Sequence, residues 1–171
     1  MILFEKRAGE LIGTMAPVQV NGNLTTSVKF YWGDEEDLQL FIKKTGNENY
    51  FPLIWLVTGR DEYPRSNRVR RKAEFVILTR ETDRELLNTE RIERSFNYVL
   101  NPITNSLVEL LSKSTISNIV DNKYYTQKFT NYSSSERGKD KNLVNDIWDA
   151  IKLTCEVEFN DRTLNICKNA G

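Results

Sequence analysis

Residues 51–58, FPLIWLVT, and residues 73–79, AEFVILT, are the two most apolar short runs in the chain, and their reading decides the fold. Each is too short for a buried helix and is rich in β-branched and aromatic residues, so each reads as a core strand. Pro52 sits at the start of the first run, where a missing N–H is tolerated. The two runs are expected to pair. Between them lies Gly59 to Lys72, a long polar connection. It holds Arg60, Arg65, Arg68, Arg70, Arg71 and Lys72, opposed only by Asp61 and Glu62, with a stiff Tyr63-Pro64 step near its middle.

Working outward, Phe4, Ala8, Leu11, Ile12 and Met15 recur at helical spacing, and Pro17 ends that segment. Asn21-Gly22-Asn23 between Val18–Val20 and Leu24 is a hairpin signal. The second strand is expected to run to Trp32, with Leu24, Thr26, Val28, Phe30 and Trp32 on one face. Gly33 stops it, and Asp34 is placed to cap a helix over about 35–45 whose buried stripe is Leu38, Phe41 and Ile42. Glu35, Glu36 and Asp37 crowd its first turn, where the helix dipole favours negative charge, so the run reads as capping rather than as a metal site.

Thr82 and Glu85 have capping-box spacing. The strongest helical signal follows: Ile92, Phe96, Val99, Leu100, Ile103, Leu107, Leu110 and Leu111. Pro102 interrupts it, which implies either a kink or a second helix capped by Asn101. Tyr124 to Tyr132 reads as a strand, Ser133 to Lys141 as a solvated loop, and Leu143 to Ala150 as a short helical or irregular link. Ile151, Leu153, Cys155, Val157 and Phe159 then alternate with polar residues as a half-buried strand. A turn at Asp161-Arg162 would set Phe159 against Leu164 and Val157 against Ile166. That register places Cys155 inside and Cys167 on the opposite face, so both thiols are expected to stay reduced.

The expected fold is one α+β domain over residues 1–171. It has a mainly antiparallel sheet, a long helix and shorter helices packed on one face, and residues 59–72 as a projecting hairpin or loop arm. A chain of this length buries about 70% of its unfolded surface and needs no metal or disulfide staple.

The 24 basic and 24 acidic side chains cancel, so any electrostatic function must be local. No apolar run approaches the roughly 18 residues that span a bilayer, and no membrane partner is expected. Met1 to Arg7 places apolar residues before charges, the wrong order for a signal peptide, which predicts residence in the cytosol of the producing cell.

The chain has no histidine, which removes Ser-His-Asp, Cys-His and histidine-metal chemistry. No Ser-x-x-Lys, phosphate loop or dinucleotide fingerprint occurs. No catalytic residue, metal site or cofactor is therefore expected, and a binding or assembly role is. One alternative is a metal-dependent nuclease built on Asp121 and Lys123, whose Asp-x-Lys spacing such sites use, although the surrounding residues read as a turn. Another is a nucleic-acid-binding accessory protein using the basic loop and base stacking on Tyr31, Trp55, Tyr63, Tyr124, Tyr125, Phe129 and Tyr132. For the basic loop, a solvated hairpin, a phosphate contact and docking on a neighbouring copy all compete. Arginine's planar fork suits directional pairing at interfaces. The candidate interface residues are Arg60, Tyr63, Arg65, Arg68, Arg70, Arg71 and Lys72, with Glu35, Glu36 and Asp37 as a candidate acidic partner surface.

A pattern spread over about residues 24–167 carries a resemblance. Its pieces are Phe30-Tyr31-Trp32-Gly33-Asp34, Tyr50 to Leu56, Glu90-Arg91 with Phe96 and Leu100-Asn101-Pro102-Ile103, and Asn145 to Ile151. It resembles the tail-completion, tail-terminator and head–tail connector ring proteins of tailed bacteriophages, including those of Bacteroides-type hosts and the crAss-like group. The resemblance implies a virion protein without catalysis or cofactor, assembled in the host bacterial cytoplasm. It implies a homo-oligomeric ring, six- or twelvefold, around the DNA channel, in contact with portal, stopper or other tail proteins.

Overall fold

The computed structural model describes residues 3–20, 24–44, 50–81, 86–130, 132 and 147–162. The elements in order are α1 (Phe4–Ile12), β1 (Val18–Val20), β2 (Leu24–Thr26), β3 (Lys29–Gly33), α2 (Glu35–Lys44), β4 (Leu53–Val57), β5 (Glu62–Arg65) and β6 (Arg68–Glu81). A long helix follows as α3 (Asn88–Arg91), a π-helical segment (Ile92–Leu100) and α4 (Asn101–Lys113), and then come β7 (Ser117–Phe129) and β8 (Ile147–Asn160). The expected α+β class holds. β1 and β2 form a separate antiparallel pair, while the main sheet runs β3-β4-β6-β8-β7 with β5 beside β6. Among the described strands of this sheet only β3 and β4 pair in parallel; β4–β6, β5–β6, β6–β8 and β7–β8 are antiparallel.

The two apolar runs pair as expected, Leu53 opposite Leu78 through Val57 opposite Glu74. Because side chains alternate across a strand, the sheet has two apolar faces. Ile54, Leu56, Val69, Ala73, Phe75, Ile77 and the odd residues 151–159 meet α1 and the long helix in the main core. Leu53, Trp55, Val76, Leu78, Trp148 and Ala150 line the other face, where Leu38 and Ile42 of α2 cover them. Each such fully buried aliphatic or aromatic side chain contributes about 1.5–3 kcal/mol. Trp148, fully buried, lies 4.0 Å from Phe51 between ring centroids.

Several expectations change in detail. The strand expected from Leu24 to Trp32 breaks at Ser27-Val28, and its halves serve different sheets: β2 pairs with β1, β3 with β4. Asn101 does not cap a new helix, since its φ and ψ of −63° and −46° are helical. The helix instead runs through Pro102, with the wider π turn directly before it. Proline cannot donate to the preceding turn and crowds its carbonyls, and a local change of hydrogen-bond register accommodates both. Ile92 is 44% exposed and lies outside the buried stripe.

The strand expected from Tyr124 begins earlier, at Ser117, and is interrupted by a bulge between Ile119 and Tyr124. Asp121 and Asn122 there adopt φ of 55° and 52°. This agrees with the turn-like reading of those residues. Ile147 to Ala150, expected in a helical or irregular link, belong to β8. Of the expected closing hairpin, Leu164 and Ile166 lie outside the described residues, and both edges of β8 are filled by other strands. Phe159 lies opposite Val69 and Ser117, and Val157 opposite Arg71 and Ile119. The Thr82–Glu85 capping box, the Ser133–Lys141 loop and Cys167 lie outside the described residues.

Candidate interaction surface

The arginine-rich connection is a β-hairpin. β6 extends beyond the end of β4, and β5 folds back along it, with Arg65 opposite Arg68 and Glu62 opposite Arg70. The other edge of the same stretch pairs with β8, from Arg68 opposite Asn160 to Lys72 opposite Glu156. The arm is thus a corner of the main sheet, supported on both sides of its inner strand.

Strand alternation then sorts the basic residues. Val69, Arg71 and Ala73 face the main core; Arg68, Arg70 and Lys72 face the other way. Arg71 is 3% exposed and holds Glu5 at 2.7 Å and Asp61 at 2.6 Å. Its guanidinium lies 4.5 Å from the centroid of Phe4, a cation–π contact, and Phe4 packs edge-on against Phe159. A buried arginine needs such partners, since an uncompensated charge there is costly. Arg71 therefore ties α1, the base of the arm and the core together.

On the outward face, Arg68 and Arg70 grip one carboxylate, Glu158, at 2.6 Å and 2.9 Å. Burial opposes the charge on Glu158, but hydrogen bonds from Arg70 and Arg68 and their positive charge outweigh it and lower its pKa. The same hydrogen bond, offset in part by desolvation, raises Arg70. Of the seven candidate arm residues, Arg68, Arg70 and Arg71 are thus committed within the chain. Arg60, Arg65 and Lys72 are exposed and make no ion pair among the described residues, and Tyr63 of β5 is 44% exposed.

The acidic run lies at the start of α2 as a cap. The Asp37 backbone N–H donates to Asp34 Oδ1 at 2.8 Å, and the Asp34 N–H donates to Asp37 Oδ2 at 3.3 Å. Glu35 meets Lys152 at 3.5 Å, and Lys152 also meets Glu74 at 3.1 Å, so the helix start is pinned to the sheet. Gly33 makes the close turn into α2 possible. A Cβ there would lie 2.7 Å from the Trp55 ring, whose Nε1 donates to the Gly33 carbonyl at 3.2 Å.

The seven aromatics of the stacking reading do not share a surface. Trp55 and Tyr132 are buried, Tyr31 packs on Phe41 at 4.8 Å, and Tyr63 is on the arm. Tyr124 and Tyr125 point to opposite faces of β7, and Phe129 packs against Tyr132. Asp121 and Lys123 sit at the β7 bulge, and no group of three or more metal-ligating side chains occurs among the described residues.

Two features escaped the sequence reading. Arg91 of α3 and Asp149 of β8 form a buried ion pair through both guanidinium and carboxylate atoms. They lie 58 residues apart, and nothing local announces their meeting. The second feature is the outer edge of β7, where Asp121 to Lys128 are all exposed. Cys155 faces inward as expected, and burial pushes its thiol up to about 12. No protein-family model matches the chain, and no curated protein matches it.

Proposed function

We propose that this protein is a non-catalytic structural subunit of a tailed-phage virion, forming an oligomeric ring at the portal–tail junction or tail end. In this reading it contacts copies of itself and adjacent connector or tail proteins around the DNA channel. The sequence pattern described above motivates the assignment. The structural observation that carries it is the division of the arm's charge. Three arginines satisfy the fold, whereas Arg60, Arg65 and Lys72 remain exposed without an ion pair among the described residues.

Free cations on a supported sheet corner suit a directional contact with carboxylates. Four consecutive acids, Asp34 to Asp37, open α2, and all four are exposed. A cationic corner meeting the acidic helix start of the next copy is a heterologous contact, the type that generates rings when the rotation closes. Tyr63 adds an aromatic contact of the type enriched at interfaces.

Light scattering after size-exclusion chromatography tests the reading, with a six- or twelvefold mass expected. The paired reversal Arg65→Glu, Lys72→Glu is expected to abolish that six- or twelvefold mass, leaving nothing larger than a dimer, while circular dichroism stays unchanged. Adding Glu35→Lys and Glu36→Lys to that variant should restore part of the ring. A ring that survives the first reversal overturns the arm assignment, and a wild-type chain that stays monomeric with portal present overturns the ring.

A further inference from the structure

We infer that the outer edge of β7 is a self-pairing seam whose occupant is a second copy of this chain. This goes beyond the ring reading, because a two-fold seam joins copies in pairs and does not depend on the arm. β7 has β8 on one side, and no described strand pairs with its other edge. An unpaired strand edge presents a row of N–H and C=O groups that another strand satisfies. The bulge at Asp121–Asn122 ends the irregular part, and from Tyr124 to Phe129 the strand is regularly paired with β8. Tyr125 is 73% exposed and Tyr124 48% exposed, both on this edge strand.

Electrostatic self-complementarity selects a second copy. A symmetric antiparallel pair must centre on one residue, since opposed side chains share a face. Centring on Thr126 uses the run Lys123 to Phe129 evenly. Thr126 then faces its own copy, Tyr125 faces Gln127, and Tyr124 faces Lys128. Tyr124, Thr126 and Lys128 lie on one face, opposite Cys155, Leu153 and Ile151 of β8. Each Lys128 ammonium, already 5.6 Å from the Phe96 centroid, gains a tyrosine ring of the other copy, and no like charges meet. Parallel, in-register pairing would instead set Lys123 and Lys128 against themselves. Lysines and bulges at sheet edges also serve to keep strands apart, and that is the competing outcome.

The test uses the full chain carrying Cys167→Ser; buried Cys155 does not compete for oxidant. Under mild oxidation, Thr126→Cys is expected to form a covalent dimer rapidly. Its two copies would lie about 5 Å apart between Cα atoms, within disulfide reach. Lys123→Cys, about 20 Å from its copy in this register, is the slow control. Without cysteines added, Tyr124→Lys places lysine against lysine at two symmetric positions and should weaken the dimer about tenfold by sedimentation. Adding Lys128→Glu to that chain should restore it. The seam is refuted if Thr126→Cys links no faster than Lys123→Cys, or if Tyr124→Lys leaves the dimer unchanged. The arm reversal Arg65→Glu, Lys72→Glu should not alter the Thr126→Cys rate, so the ring and the seam fail separately.

Discussion

Arg70 and Arg71 are adjacent in β6, yet their surroundings have little in common. Arg71 points into the core, where two carboxylates and a phenyl ring replace its water. Arg70 points outward, 35% exposed, and shares Glu158 with Arg68. Beyond them, Arg65 and Lys72 are exposed and unpaired among the described residues. One basic segment thus contains a structural tie, a half-solvated clamp and free charge, sorted by strand alternation and depth. Local density of arginine therefore says little about availability to a partner.

The steepest consequence lies at Arg71. Arg71→Ala is expected to cost about 3 kcal/mol in urea unfolding, because Glu5 and Asp61 are left together without their cation. Arg71→Lys should recover only part of this, since an ammonium lacks the planar fork and the stacking face. Equal stability of wild type and Arg71→Ala would remove the distinction between tie and clamp.

At the clamp, Glu158→Gln is expected to cost about 1 kcal/mol at neutral pH. The Glu158 pKa is lower folded than unfolded, so its contribution is fully present above the unfolded value, near 4.5. It is lost as pH falls through the folded value. The gap between wild type and Glu158→Gln should accordingly close on acidification from the unfolded value down through the lowered folded one; a gap that persists below both would detach the clamp from the carboxylate's charge. At the free end, Arg65→Glu with Lys72→Glu should move monomer stability by no more than about 0.5 kcal/mol. A larger loss would mean these cations serve the fold after all. The smallest response belongs to the inward face of β8. With its pKa near 12, Cys155 should resist iodoacetamide at neutral pH in the folded protein and react once denaturant is added.

Much of this architecture was legible because burial repeats with the period of the backbone. The pairing of the two apolar runs, the faces of α1 and α2, and the alternation of residues 151–159 all followed from periodicity. Arg71 carried a readable signal too: tracing Phe75 and Ala73 back by twos reaches Arg71 and Val69, an inward position for a charge. What stayed hidden depends on distant residues. Glu158 and Asp149 find their arginines only once β8 enters the sheet, and β8's neighbours could not be deduced from its own alternation. A hairpin with the following residues satisfies that pattern equally well, whereas the protein fills both edges from β6 and β7. The split between β2 and β3 was missed because alternation continues across Ser27-Val28 while the pairing partner changes.

That placement of β8 has a consequence for how the protein is made. β8 leaves the ribosome after every other described strand, yet it lies between β6 and β7. Until it emerges, β6 lacks the partner it keeps along its whole length, and β7 has no strand to join. Because β6 and β8 are far apart in sequence, closing the sheet is also entropically slow. The nascent chain therefore waits with unpaired strand edges and incompletely covered apolar faces, which makes translation rate and chaperone access determinants of yield. Stopping synthesis before Ile147 should give an insoluble product rather than a smaller folded domain.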